Sequence, residues 1–158
     1  RRIVCAANGM LWALGTLRGA GEETGDMLLL RFDTHWQRMP TPDEAHLGGS
    51  ALAVAGADDV WVAAGGVGGV ERRPRFLHWN GQAWSQVELE PLSGGRSTGF
   101  TITDVHFVSA AEGWAIGNDY DGPGLVRGLI LHYRDGKWRN RNWNWHFWDA
   151  PWFGLFGY

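Results

Sequence analysis

The sequence predicts an all-β chain made of three copies of one four-stranded antiparallel unit, followed by an aromatic tail. Three observations predict it: two tryptophan series with a common period, recurring turns, and a composition rich in turn residues and strand aromatics. Trp12, Trp61 and Trp114 lie 49 and 53 residues apart, and Trp36, Trp84 and Trp138 lie 48 and 54 apart. Within a unit the two tryptophans are separated by 24, 23 and 24 residues, so the unit is constant and the insertions fall mostly between units. The 158 residues include 24 Gly, and 11 Trp against only 3 Tyr. Glycine at roughly twice its usual share, with tryptophan on short strands, suits a repeat-built β domain.

Each unit can be read in order. "NGMLWALG", "ADDVWVAAGG" and "AAEGWAIGND" are each a turn followed by a short apolar strand that ends at Gly or Asn. "LLLRFDTHW", "RFLHWNGQAW" and "LILHYRDGKW" are each a strand, a tight turn and a new strand. Asn80-Gly81 and Asp135-Gly136 tolerate positive φ at both central positions and predict type I′ hairpin turns. Asp33-Thr34 stands there in the first unit, one residue shorter, so its turn must differ. In the third unit the pattern predicts strands at 102–108, 114–117, 129–133 and from Lys137, with a turn at 109–113 and a variable loop at 118–128. No segment keeps a 3.6-residue period for ten residues, which excludes helices as the main element. The units are expected over residues 3–40, 50–90 and 101–142, about 12 strands, with the tail at 143–158. Four antiparallel strands repeating about every 50 residues make the blade of a β-propeller.

The residues Asp59, Val60 and Trp61 with His78, Trp79, Asn80, Gly81 and Trp84, and then Gly113, Trp114 and Gly117 with Leu131, His132, Tyr133, Asp135, Gly136 and Trp138, carry a resemblance. They resemble bacterial propeller repeats whose blades read "DVWAVG" then "HWDGTSW", or "GWAVG" then "ILHYDG..W". The resemblance covers residues 3 to about 143. It is similar in layout to kelch, Asp-box and photosystem-assembly-factor propellers, although the Asp-box spacing S-x-D-x-G-x-x-W is not met at the three turns. It implies a propeller fold and slightly favours an extracytoplasmic or secreted setting. It brings no catalytic motif, because propellers serve many roles.

Charge and motif content narrow the function classes. A formal net charge of −3 argues against nucleic acid as a partner, since no basic surplus neutralises phosphates. Cys5 is the only cysteine and lies in the apolar run "IVCAA", where a small buried hydrophobe is expected. No apolar run approaches the 18 residues of a membrane span. The opening "RRIVCAANG" is already strand-like and reads as a processed product or a piece of a longer chain. His78 and His132 occupy equivalent places in their units, which predicts a structural bond to a neighbouring strand or turn. The remaining histidines show no H-x-x-x-H or H-E-x-x-H spacing, so no metal site is expected. "NDYDG" at 118–122 resembles the start of a calcium loop but lacks the later Glu, and turn formation by Asp and Gly is expected instead. "GGVGGV" lacks the Lys-Ser/Thr ending of a phosphate cradle, so it is expected to be a flexible loop, and no cofactor is expected.

Propellers close with 4 to 8 blades, so three blades leave two open faces. A longer chain, self-association of two copies into six blades, or cover by a protein partner or by the tail would each solve this. The tail carries eight aromatics in sixteen residues, including Trp145, Trp148, Trp152 and Phe153. It is expected to pack on the blades, to dock into a partner or a membrane interface, or to stack on sugar. No Lys or Arg follows Arg141, which argues against attachment to anionic lipid.

The leading expectation is a non-catalytic binding or scaffold module. The loops at 17–26, 67–74 and 118–128, with Asp119 and Asp121, would carry binding. The alternative is a piece of a carbohydrate-active or carbohydrate-binding propeller. As an enzyme it would need two or three of Asp58, Asp59, Asp104, Asp119 and Asp121 to converge in one cleft.

Overall fold

A computed structural model describes residues 2–17, 25–41, 48–65, 75–91, 97–121 and 126–141. Among them stand twelve strands in three sheets. β1 (Arg2–Cys5), β2 (Leu11–Leu17), β3 (Asp26–Phe32) and β4 (Trp36–Arg38) form the first. β5 (Gly49–Gly56), β6 (Asp59–Ala64), β7 (Arg75–Trp79) and β8 (Trp84–Val87) form the second. β9 (Ser97–Ser109), β10 (Glu112–Asp121), β11 (Val126–Arg134) and β12 (Lys137–Asn140) form the third. Each sheet is an antiparallel meander in chain order, the form of a propeller blade. The register repeats from blade to blade. Trp12 faces Arg31, Trp61 faces His78 and Trp114 faces His132 across the second and third strands. Phe32–Trp36, Trp79–Trp84 and Tyr133–Trp138 face each other across the third and fourth.

Strand side chains alternate between the two faces of a sheet, so every blade has two faces to cover. One, here the leading face, carries Trp12, Trp61 or Trp114; the trailing face carries Trp36, Trp84 or Trp138. Trp12, Leu14, Met27 and Leu29 leave the leading face of the first blade. They pack against Leu52, Val60, Val62, Leu77 and Trp79 on the trailing face of the second. Ala53, Trp61, Ala63 and Phe76 leave the leading face of the second blade and pack against Ile102, Phe107, Leu131 and Trp138 of the third. The near-continuous burial of β6 follows, because the middle blade is sandwiched between two cores.

Polar ties follow the same seams. Arg31 reaches Asp58 at 3.5 Å, and Trp84 Nε1 donates to the Pro40 carbonyl at 2.8 Å, both between the first and second blades. Beyond β8 the chain runs along the outer edge of the third blade. Leu89 forms a parallel bridge to Trp138, Trp138 N donates to Glu88 O and Glu90 N donates to Trp138 O, both at 3.0 Å. Lys137 and Arg139 add ion pairs to Glu88 and Glu90. The outward backbone N–H and C=O of Trp138 are thereby satisfied, which protects part of an otherwise open sheet edge. Arg2 on β1 pairs with Asp104 on β9, linking the first strands of the first and third blades.

Some expectations are met and others corrected. Asp135 and Gly136 have φ of 55° and 78°, the two positive values of a type I′ turn. At Asn80-Gly81 only Gly81 is positive, at 91°. Asn80 instead folds its side chain back, Oδ1 accepting from Gln82 N and Ala83 N at 3.0 and 2.9 Å, which makes a longer Asx-type connection. The expected loop at 118–128 is largely strand: Asn118, Asp119 and Tyr120 pair with Thr101, Phe100 and Gly99 on one side and Gly128, Arg127 and Val126 on the other. Partners on both sides of a ladder outweigh the turn preference of Asn and Asp. Cys5 is exposed, not buried, because it lies on the trailing face of the first blade, where none of the described blades packs.

Candidate functional site

The two ends of the blades differ. At one end the connections are tight: Ala57–Asp58 joins β5 to β6, Ala110–Ala111 joins β9 to β10, and Asp135–Gly136 joins β11 to β12. At the other end the joins between second and third strands span eight, ten and four residues, and the joins between blades leave from the same end. Of the expected variable loops at 17–26, 67–74 and 118–128, residues 18–24, 67–74 and 122–125 lie outside the described residues, as does most of "GGVGGV". The strands leading into them are described, and β10 runs furthest of the three. β6 ends at Ala64, whose register equivalent in the third blade is Gly117, yet β10 runs four residues further, to Asp121. At about 3.4 Å per residue that carries the paired strand about 14 Å past the end of β6 and about 7 Å past the end of β2 at Leu17, the register equivalent of Asp119. Asp119 and Asp121 therefore lie on a projecting hairpin at the loop end, beside the exposed Tyr120 and Val126.

A recurring cluster sits at the opposite end. In the second blade Asp59 Oδ1 accepts from Trp61 Nε1 at 2.8 Å and lies 2.8 Å from His78 Nε2. His78 in turn stacks on Trp61, centroids 4.2 Å apart. In the third blade Glu112 Oε1 lies 2.9 Å from His132 Nε2, and His132 stacks on Trp114 at 4.1 Å. The carboxylate stands two residues before the tryptophan in both, which puts it on the same side of the second strand. The first blade has Met10 and Arg31 at these places, and Arg31 reaches across the seam to Asp58. The cluster orients the tryptophan ring that enters the seam. The sequence carries a signal for it, D-x-W in the second unit and E-x-W in the third, each facing a cross-strand His.

Burial pushes the Tyr133 phenol above its ordinary range, and the negative charge of Asp59 across the seam raises it further. Asp59→Asn keeps an acceptor for Trp61 but removes that charge and the charge-assisted bond to His78. The expected result is a loss of about 1–2 kcal/mol, with Tyr133 titrating at lower pH than in the native chain. Denaturant unfolding and ultraviolet tyrosine titration read both. A raised phenol pKa in the fold also means that stability falls as pH rises from the unfolded phenol value toward the folded one.

The five candidate carboxylates are spread over two blades. Asp58 pairs with Arg31, Asp59 with Trp61 and His78, and Asp104 with Arg2 and the Val105 amide at 2.7 Å, while Asp119 and Asp121 lie on the projecting hairpin. Among the described residues no group of three or more His, Cys, Asp or Glu is placed to hold a metal ion. No helix among them is long and apolar enough to cross a membrane. The tail residues Trp145, Trp148, Trp152 and Phe153 lie outside the described residues.

The second notable surface is the pair of end faces that no described blade covers. Trp12 and Trp61 are 0% and 1% exposed, whereas Trp114, in the same register, is 40% exposed with Ile116 and Ile130 beside it. On the trailing side Trp138 is fully buried, whereas Trp36 is 44% exposed. Exposure follows the presence of a neighbouring blade and not the residue type.

No family model and no curated protein sequence matches the chain. Among solved structures it is similar to a fucose lectin from Kordia zhangzhouensis in complex with methyl-fucoside, with a TM-score of 0.52 and 14% identity. The match covers 89% of this chain and 96% of that one. It also matches YCF48 bound to D1 peptide, with a TM-score of 0.44 and 14% identity, over 83% of this chain and 49% of that one. With its three four-stranded antiparallel sheets, the chain has a propeller-type all-β fold.

Proposed function

We propose that the chain is a non-catalytic binding module whose loop end is the binding face. The observation that carries this is the asymmetry of the blades: tight turns close one end, while connections of differing length leave the other, where β10 runs furthest. Varied loops on a repeated frame are how repeat folds build a recognition surface. The residues we assign to it are Asp119, Tyr120 and Asp121 on the projecting hairpin.

A carbohydrate ligand is the second reading, favoured by the lectin likeness, which spans nearly the whole of both chains. Tyrosine and carboxylate side chains suit sugar recognition, the ring stacking on a pyranose face and the oxygens accepting from hydroxyls. The test is retention of the chain on immobilised glycans, methyl-fucoside competition included, and on a random peptide panel. With either ligand class, substituting Asp119 and Tyr120 together by Ala is expected to weaken retention at least tenfold. Gln82→Ala, at the tight-turn end, should leave it unchanged. Equal loss from both variants, or none from either, would contradict the placing of the binding face.

A further inference from the structure

We infer that two copies of the chain close on each other head to tail. Each sets the leading face of its third blade against the trailing face of the other's first blade, giving a six-bladed ring. The inference comes from the blade faces and is independent of what the loop end binds.

The seam between the second and third blades shows what such a contact requires. Trp61, stacked on His78, enters against a ring pair on the next blade: its centroid lies 4.7 Å from Tyr133 and 6.1 Å from Trp138, edge to face with the latter. The receiving pair, Tyr133–Trp138, has centroids 5.4 Å apart at 47°. The second blade holds the equivalent pair Trp79–Trp84 at 5.6 Å and 49° on the face that receives the first blade. The first blade holds Phe32–Trp36 at 5.2 Å and 55°, the same pair in the same geometry with none of the described blades against it. The receiving half of a third kind of seam is therefore preformed.

The entering half is preformed too. Trp114 stacks on His132 at 4.1 Å and 16°, matching Trp61 on His78 at 4.2 Å and 18°. Around it Ile116 and Ile130 stand where the second blade has the buried Ala63 and Phe76 and the first has Leu14 and Leu29. On the receiving side Cys5 faces Leu11, in the place of Val54 opposite Val60 and Phe107 opposite Gly113. One chain thus carries both halves of the contact that already joins its own blades, on opposite sides. A contact between two different patches on identical chains forms a ring when the rotation closes. Two copies supply six blades, within the range in which propellers close.

Light scattering of the purified chain tests this. The expected mass is twice the 17.6 kDa of one chain. Ile116→Lys on the leading face and Trp36→Lys on the trailing face should each give monomers. Both positions are exposed within one chain, so the circular dichroism spectrum of each variant should match the native one. Mixing the two variants leaves one native seam per pair and should restore a species of twice the monomer mass. A monomeric native chain would overturn the inference, because a further blade or another protein would then be the occupant. Dissociation by only one of the two substitutions would overturn it as well, since like faces would then be pairing. So would a mixture that stays monomeric at every ratio.

Discussion

Trp61→Ala is expected to destabilise the chain by about 3–5 kcal/mol, the range for removing a buried tryptophan. Its ring is 1% exposed and touches His78, Phe107, Tyr133 and Trp138, so truncation opens a cavity at the centre of the seam between the second and third blades. It also removes the Nε1–H that Asp59 accepts. The informative control is Trp114→Ala, which deletes the same residue at the same register position one blade later. In the Trp36→Lys background, where copies are kept apart, Trp114 packs among the described residues on its own blade alone, and the expected cost is about 1 kcal/mol for the lost stacking on His132. Denaturant unfolding of the two variants side by side reads the difference. Equal costs would mean that the seams do not carry the stability of the fold.

The second large effect is at Gly117. A Cβ built there would lie 1.8 Å from the Thr101 carbonyl oxygen and 2.9 Å from its carbon. Both are backbone atoms and cannot rotate away, so Gly117→Ala must push β9 from β10 at the place where their register shifts. The expected cost is about 3 kcal/mol, the upper end of overpacking penalties. Gly128→Ala, on the adjacent strand with nothing within 4 Å of the added carbon, is the matched control and should change stability by under about 0.5 kcal/mol. Gly117 is also the root of the projecting hairpin. Its substitution should therefore lower ligand retention together with amide-exchange protection of Asn118–Tyr120.

The blades were legible because their determinants are local and repeated. A tryptophan that must enter a seam recurs at the blade period, and Asp135-Gly136 meets the φ demand of its turn without help from the rest of the chain. Features set by the neighbouring strand were not legible. Asn118 to Tyr120 have the composition of a loop and become strand because β9 and β11 both extend to pair with them. Asn80-Gly81 has the composition of a two-residue turn, but the Asn80 side chain satisfies two amides and lengthens it. Cys5 has apolar neighbours in sequence but lies on the one trailing face that no described blade covers. At the loop end the differing connection lengths are legible in the sequence, whereas the length of β10 depends on strand pairing that only the fold reveals.

Cys5 offers the most direct measurement of whether the uncovered faces meet in the same seam that joins the blades. Its thiol is exposed on a single chain and stands at the position that Val54 and Phe107 occupy inside the two existing seams. The rate of modification by an aromatic disulfide reagent should be at least tenfold slower in the native chain than in Trp36→Lys, and should rise to the variant's rate on dilution. A native thiol that reacts as fast as that of the variant at every concentration would contradict closure through these faces.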